Sequence, residues 1–298
     1  MQSVTDRLLK KFKSQRKHMI KIFIAAMGVY IYLICPKMRH RCDMSDFTKT
    51  PVAHRGIHDN KTTPENSISA FRAAIEAGCA IELDVQFTRD RKLIVFHDEN
   101  LSRLCGVDKN PLDLTAEEIS ELRLLGTDEH IPTLEEVLTL VDGKVPLLVE
   151  MKNALPVEWD MPKALYEAMK DYSGKYAIES FNPLFLYLYH KLDKSVPRGV
   201  LSFRFGKLKK KTDKIISITL ENLLWNFLAK PDFIAYRLSD YKKLSFRINR
   251  LLGAGTFAWD APISTEHLGK AKKYFDAFIC DISDTCLPEL VSSKVEAE

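Results

Sequence analysis

From Pro51 onward, short apolar runs alternate with longer segments whose apolar residues recur every three or four positions. The short runs read as β-strands: Val52–Gly56, Ala80–Gln86, Leu93–His97, Pro146–Met151, Tyr176–Ser180, Arg198–Ser202, Phe233–Tyr236, Thr256–Trp259 and Phe278–Asp281. The segments between them read as helices. Pro64-Glu65-Asn66-Ser67 opens one, with Asn66 or Ser67 as its cap, before Ala70, Phe71, Ala74 and Ile75; Gly78 then stops it. Thr133-Leu134-Glu135-Glu136 opens another, carrying Val137, Leu138 and Leu140. Such alternation predicts a parallel α/β fold. Gln86 and Leu93 are too close for a helical crossover, so the second and third runs are predicted to form a hairpin. Eight runs remain, the number of strands in a TIM (β/α)8 barrel.

The first fifty residues follow neither period. Ile22–Cys35 carries no charge, and Met19–Pro36 is interrupted only by Lys21. A bilayer core needs about 20 predominantly apolar residues, roughly 17 at the short end. Lys21 can snorkel to the headgroups, and Tyr30 and Tyr32 suit an interface. A cleaved signal peptide would need small residues at a cleavage site, where Cys35-Pro36-Lys37-Met38-Arg39 stands instead. Lipidation at Cys35 would follow the bulky Tyr32 and Ile34. A helix buried against the body would not need basic flanks at both ends. An uncleaved single-span anchor fits best. The division predicted is a basic tail over 1–18, a transmembrane anchor over 19–36, a linker over 37–50 and a barrel domain over 51–298.

Charge sharpens this division. The whole chain of 298 residues carries a formal +4. Residues 1–50 hold eleven bases and three acids, a net +8, and the remainder carries −4. The N-terminal flank of the span is the more basic, which predicts a cytoplasmic tail and a body on the extracytoplasmic side. A nucleic-acid role is not expected, because the excess charge sits beside an apolar span. The 46% hydrophobic and 28% charged residues exclude wholesale disorder, and six cysteines are too few for a disulfide-built scaffold. Lys207, Lys209, Lys210, Lys211 and Lys214 precede an apolar stretch, Ile215–Ala229, with Trp225 in it. That stretch reads as an ordinary barrel helix, with a lipid-surface helix as the alternative.

Candidate chemistry gathers at the ends of the first four strand-like runs. The first ends His54-Arg55-Gly56, the third His97-Asp98 and the fourth Glu150-Met151-Lys152; the second carries Glu82 and Asp84 on one face. In a barrel those ends converge on one rim. Three carboxylates suit a hard divalent cation, Ca2+ or Mg2+. Arg55 and Lys152 suit a phosphate, and two histidines suit acid/base work near neutral pH. Together the set describes metal-assisted phosphodiester cleavage.

The runs Ala53-His54-Arg55-Gly56, Pro64-Glu65-Asn66-Ser67 with Ala70-Phe71, Glu82-Leu83-Asp84-Val85, Thr88-Arg89-Asp90, Phe96-His97-Asp98, Ile131 to Leu138 and Glu150-Met151-Lys152 resemble the glycerophosphodiester phosphodiesterases. These are phospholipase-C-like phosphodiesterases on a TIM barrel. The resemblance is ordered over about residues 51–152 and thins afterwards to Ser180-Phe181, Trp259 and Asp281. It implies that Glu82, Asp84 and Glu150 hold the metal, that His54 and His97 are the acid/base pair, and that Arg55 and Lys152 hold the phosphoryl group. Phe181 and Trp259 would line the pocket for the leaving alcohol. Glu65 is expected as support near the rim. Arg91 stands where the family has Gly, Asp260-Ala261-Pro262 follows Trp259, and Cys280-Asp281-Ile282-Ser283 departs from the usual pattern, so the alcohol pocket differs more than the metal centre. The implied activity is hydrolysis of glycerophosphodiesters to glycerol 3-phosphate and an alcohol. A lysophospholipase-D-like hydrolase of single-chain lipids is the alternative, and a silent binding barrel the third reading.

Overall fold

The computed structural model describes residues 2–39, 41–153, 157–206, 211–260 and 273–282. Nine strands are defined among them: β1 (Val52–His54), β2 (Ala80–Phe87), β3 (Leu93–Val95), β4 (Leu147–Met151), β5 (Tyr176–Ser180), β6 (Arg198–Ser202), β7 (Phe233–Arg237), β8 (Gly255–Trp259) and β9 (Ala277–Cys280). β3 pairs antiparallel with β2, as the short connection requires. The other eight pair in parallel in the order β1-β9-β8-β7-β6-β5-β4-β2, and β1 closes the ring on β2. This is a TIM-like eight-stranded parallel barrel.

Period-two alternation sorts each strand between two cores. On β4, Leu147, Val149 and Met151 join the layer under the helices, while Leu148 joins the barrel interior. Glu150 alternates with them onto the interior face, near its C-terminal end. The helix predicted after Pro64 is α3 (Ile68–Glu76), which follows α1 (Gln2–Ile34) and α2 (Ser45–Thr48) in the chain; Ser67 caps it, its Oγ accepting from Ala70 N at 3.1 Å. Asn66 is therefore not the cap. It has φ +56° and turns its amide into the barrel instead. The helix predicted at Thr133 runs Leu134–Val141 with a complete capping box from Thr133 and Glu136. The single helix expected over 215–229 is two, Lys211–Glu221 and Asn226–Ala229, broken where Leu223 takes φ +58°. Ile215, Ile216 and Ile218 of the first are exposed, whereas Leu223 is buried. Lys207, Lys209, Lys210, Ala261, Pro262 and Ser283 lie outside the described residues.

The N-terminal segment is the helix α1 (Gln2–Ile34), with Lys11–Ile34 long and apolar enough to cross a membrane by length and composition. That stretch is almost wholly exposed, but its last residue, Ile34, is fully buried. Asn226 Nδ2 donates to the Ile34 carbonyl at 3.1 Å, and Tyr32 meets Phe227 at 5.8 Å between ring centroids. Of residues 37–50, read from sequence as a linker, 37–39 and 41–50 are described, and contacts from them reach the same end of the barrel. Lys37 N donates to Pro231 O, its ammonium pairs with Asp232 at 3.0 Å, and Asp232 also accepts from Cys42 N. The Arg41 guanidinium donates to the carbonyl of Gly253. A short helix, α2 (Ser45–Thr48), inserts Phe47 among Val52, Phe233 and Phe257 and closes the interior from below. Asp232 and Gly253 lie one and two residues before β7 and β8, so α1 joins the barrel at the N-terminal ends of its strands. The opposite end carries the polar side chains.

Candidate active site

At the C-terminal rim a cavity of about 620 Å³ opens, reached by His54, Arg55, Glu82, His97, Glu150, Phe181 and Trp259. Register explains their convergence. His54 of β1 sits beside Glu82 of β2, and Asp84 of β2 beside Glu150 of β4. One oxygen from each of Glu82, Asp84 and Glu150 lies within 4.8 Å of the others, and all three side chains are buried. Lys152 bridges two of them, its ammonium 3.2 Å from Asp84 Oδ1 and 3.1 Å from Glu150 Oε1. The Arg55 guanidinium lies 2.6 Å from Glu65 and 3.3 Å from Asp84.

The turn after β1 is built for this. Arg55 and Gly56 both take positive φ, +58° and +81°. The turn aims the Arg55 backbone N–H at Glu82 Oε2, 3.0 Å away. Gly56 also presses on α3: a Cβ there would lie 2.8 Å from the Ala70 backbone. Behind the site, Glu65 is 2% exposed and accepts from Arg55, Arg103 and Asn60. Burial opposes its charge, but the bonds from Arg103 and the charge of Arg55 outweigh burial and hold the Glu65 carboxyl down at about 2. Sequence reading placed Glu65 as support, and its contacts agree.

Each histidine is held through Nδ1 by a carboxylate. Asp281 Oδ1 lies 2.6 Å from His54, and Asp98 Oδ1 2.7 Å from His97. Both Nε2 atoms are left for other partners, and that of His54 is 4.0 Å from Glu82. Burial pushes the His97 imidazole below its ordinary value.

Four residues that sequence reasoning left out of the site belong to it. Glu179 of β5 is buried beside Glu150, and its Oε2 has no hydrogen-bond partner among the described residues. Asn66 donates to Asp84 Oδ2 at 2.9 Å. Asp98 and Asp281 hold the histidines. The signal for Glu179 was present: Ala177, Glu179 and Phe181 share the inward period of β5.

The site gathers more carboxyl groups than cations. Burial, and then Asp84, Glu150 and Glu179, push the Glu82 carboxyl well above the ordinary range. Burial raises Glu179 likewise, and raises Glu150 to about 7 against the pull of Lys152. Burial also opposes the Asp84 carboxylate, yet Lys152 and Arg55 outweigh it and keep that group well below its ordinary value. Four inward carboxyl groups face two cations, Arg55 and Lys152. A divalent cation matches this deficit and the all-oxygen donor set.

Residues 54–233 match the Glycerophosphoryl diester phosphodiesterase family. A glycerophosphodiester phosphodiesterase from Caldanaerobacter subterraneus is 39% identical over 143 residues, which cover 44% of this chain and 57% of that relative. The human lysophospholipase D GDPD1 is 29% identical over 134 residues, 43% of this chain and 40% of that protein. Among solved structures, a phosphodiesterase from Oleispira antarctica, in complex with the product sn-glycerol-3-phosphate, superposes with a TM-score of 0.64 at 22% identity. It covers 83% of this chain and 96% of that one.

Proposed function

This chain belongs to the glycerophosphoryl diester phosphodiesterase family, and from that premise we propose that it hydrolyses glycerophosphodiesters to sn-glycerol 3-phosphate and an alcohol. The observation that carries this reading is the cluster of Glu82, Asp84 and Glu150 beside two histidines held by carboxylates. The product named in the Oleispira antarctica complex agrees with it.

Glu82, Asp84 and Glu150 would hold a divalent cation, Ca2+ or Mg2+, which when bound supplies Lewis-acid stabilisation of charge on a phosphoryl oxygen. Arg55 and Lys152 orient the phosphoryl group and offset the charge that grows on it. Of His54 and His97, one takes the proton from the nucleophile and the other returns one to the leaving alcohol. Asp281 and Asp98 fix the two imidazoles with Nε2 turned to the substrate. Phe181 and Trp259 shield the alcohol side from water. The nucleophile is water or the neighbouring glycerol hydroxyl.

We read residues 1–18 as a basic cytoplasmic tail and 19–36 as a single-pass anchor, with the barrel from residue 51 on the extracytoplasmic side. Attachment of Ile34 and Lys37 to the floor of the barrel supports a water-borne diester as substrate. A lysolipid in the anchoring bilayer would have to reach a mouth that opens at the far end. The human lysophospholipase D relative is the reason to test it. The deciding assay offers glycerophosphocholine and lysophosphatidylcholine to the detergent-solubilised full chain, with Ca2+ or Mg2+ and then with EDTA. Metal-dependent release of glycerol 3-phosphate from the first supports this function. Turnover of the lysolipid alone, or turnover insensitive to EDTA, overturns it.

A further inference from the structure

The mouth of the barrel has two unlike walls. One, from β1 to β4, is the acid and histidine wall described above. The other comes from β5 to β8 and is aromatic: Phe181 and Trp259 line the cavity, and Phe203 and Arg237 pack against them. Phe181, Phe203 and Trp259 meet edge to face, with ring centroids 5.6–5.8 Å apart. Arg237, level with Trp259 in the β7–β8 register, lays its guanidinium on this wall. Its central carbon is 4.3 Å from the Phe203 centroid and 5.2 Å from that of Trp259. Asp260 lies 3.5 Å from Arg237 Nε, too loosely placed to satisfy it, for that buried nitrogen has no hydrogen-bond partner among the described residues. The Arg237 side chain keeps 30% exposure.

An aromatic wall beside a phosphodiester site would ordinarily favour an ammonium-bearing alcohol, because ring faces attract cations. Here two of the three rings, Phe203 and Trp259, already carry a cation that belongs to the chain. A second cation would meet repulsion in place of attraction, whereas hydroxyls or anionic oxygens would accept hydrogen bonds from the guanidinium. Resting on the hydrolase reading above, we propose that Arg237 sets the choice of leaving alcohol. It selects polyol or anionic alcohols and rejects quaternary ammonium ones. Asp260 tempers this choice by drawing part of the guanidinium charge to itself.

The test measures kcat/KM of the full chain, with its metal, on sn-glycero-3-phosphoglycerol and sn-glycero-3-phosphocholine. Release of glycerol 3-phosphate is the readout for both. The wild type should prefer phosphoglycerol. Arg237→Met should lower the preference about tenfold, mainly by faster turnover of the choline diester on the vacated rings. Asp260→Asn, at an exposed position where misfolding is not a concern, should move the ratio the opposite way. A wild-type preference for the choline diester, or a ratio that stays within about twofold in both variants, overturns the proposal while leaving the hydrolase reading intact. A wild type that cleaves neither diester overturns both.

Discussion

His54 Nδ1 and Asp281 Oδ1 lie 2.6 Å apart although 227 residues separate them in the chain. The carboxylate fixes one ring nitrogen and so decides which way the other faces. Asp281→Asn should therefore act on the chemical step. We expect kcat to fall roughly 10²- to 10⁴-fold with KM little changed and a shifted pH profile. His54→Ala and His97→Ala should lose activity to a similar extent with the circular dichroism spectrum of the fold retained. Near-normal turnover in any of the three would remove the acid/base assignment.

Glu150 offers a pH test of the metal cluster. Its carboxyl titrates at about 7 in the folded chain and at about 4.5 when unperturbed, so between those values the metal-free folded protein holds a proton that the unfolded chain releases. A raised carboxyl pKa makes stability fall as pH rises through this window. Comparison with Glu150→Gln cancels the opposite contribution of His97. Metal-free wild type should lose stability relative to this variant from pH 4.5 to 7, measured by urea unfolding. Saturating Ca2+ or Mg2+ should abolish the loss in the wild type, and at a hundredfold excess over Kd stabilise it by about 2.7 kcal/mol.

Glu65 predicts the reverse sign. Its pKa is depressed from 4.5 to about 2, so its contribution is complete above 4.5 and disappears as pH falls toward 2. Glu65→Gln should flatten that acid limb of the stability curve and be less stable than wild type at pH 7. Equal slopes in the two proteins below pH 4 would show that the Arg55–Glu65–Arg103 contacts contribute nothing net.

Gly56→Ala probes the turn itself. The added Cβ combines a left-handed backbone with a 2.8 Å approach to Ala70. A destabilisation of about 2–4 kcal/mol is expected by thermal or urea unfolding, with activity reduced through the displaced Arg55 N–H. Wild-type stability in this variant would mean that α3 yields at little cost.

Much of the rim was legible in the sequence because strand alternation is rigid: once β2 and β4 are strands, Glu82, Asp84 and Glu150 must face inward together. The hairpin of β2 and β3 followed from chain length alone. Other contacts were not legible because ring closure and loop conformation decide them. Asp281 reaches His54 only through the β1–β9 pairing. Asn66 left its expected capping role because Ser67 took it, and a positive φ carried its amide to Asp84. The break at Leu223 depends on one residue adopting a conformation that nothing in its side chain announces. Arg237 reads as an unremarkable strand end until its neighbours across β6 and β8 are known.

Closure of the ring by β9 also sets an order of events during synthesis. Ala53 pairs with Cys280, so one edge of β1, whose other edge pairs with β2, waits until residue 280 has left the ribosome. Until then β1 has an unpaired edge toward β9, and His54 has no Asp281 to orient it. The carboxylate cluster of Glu82, Asp84 and Glu150 needs only β2 and β4, which are made far earlier. A chain made only as far as β4 thus carries the three carboxylates without the Asp281 contact that orients His54.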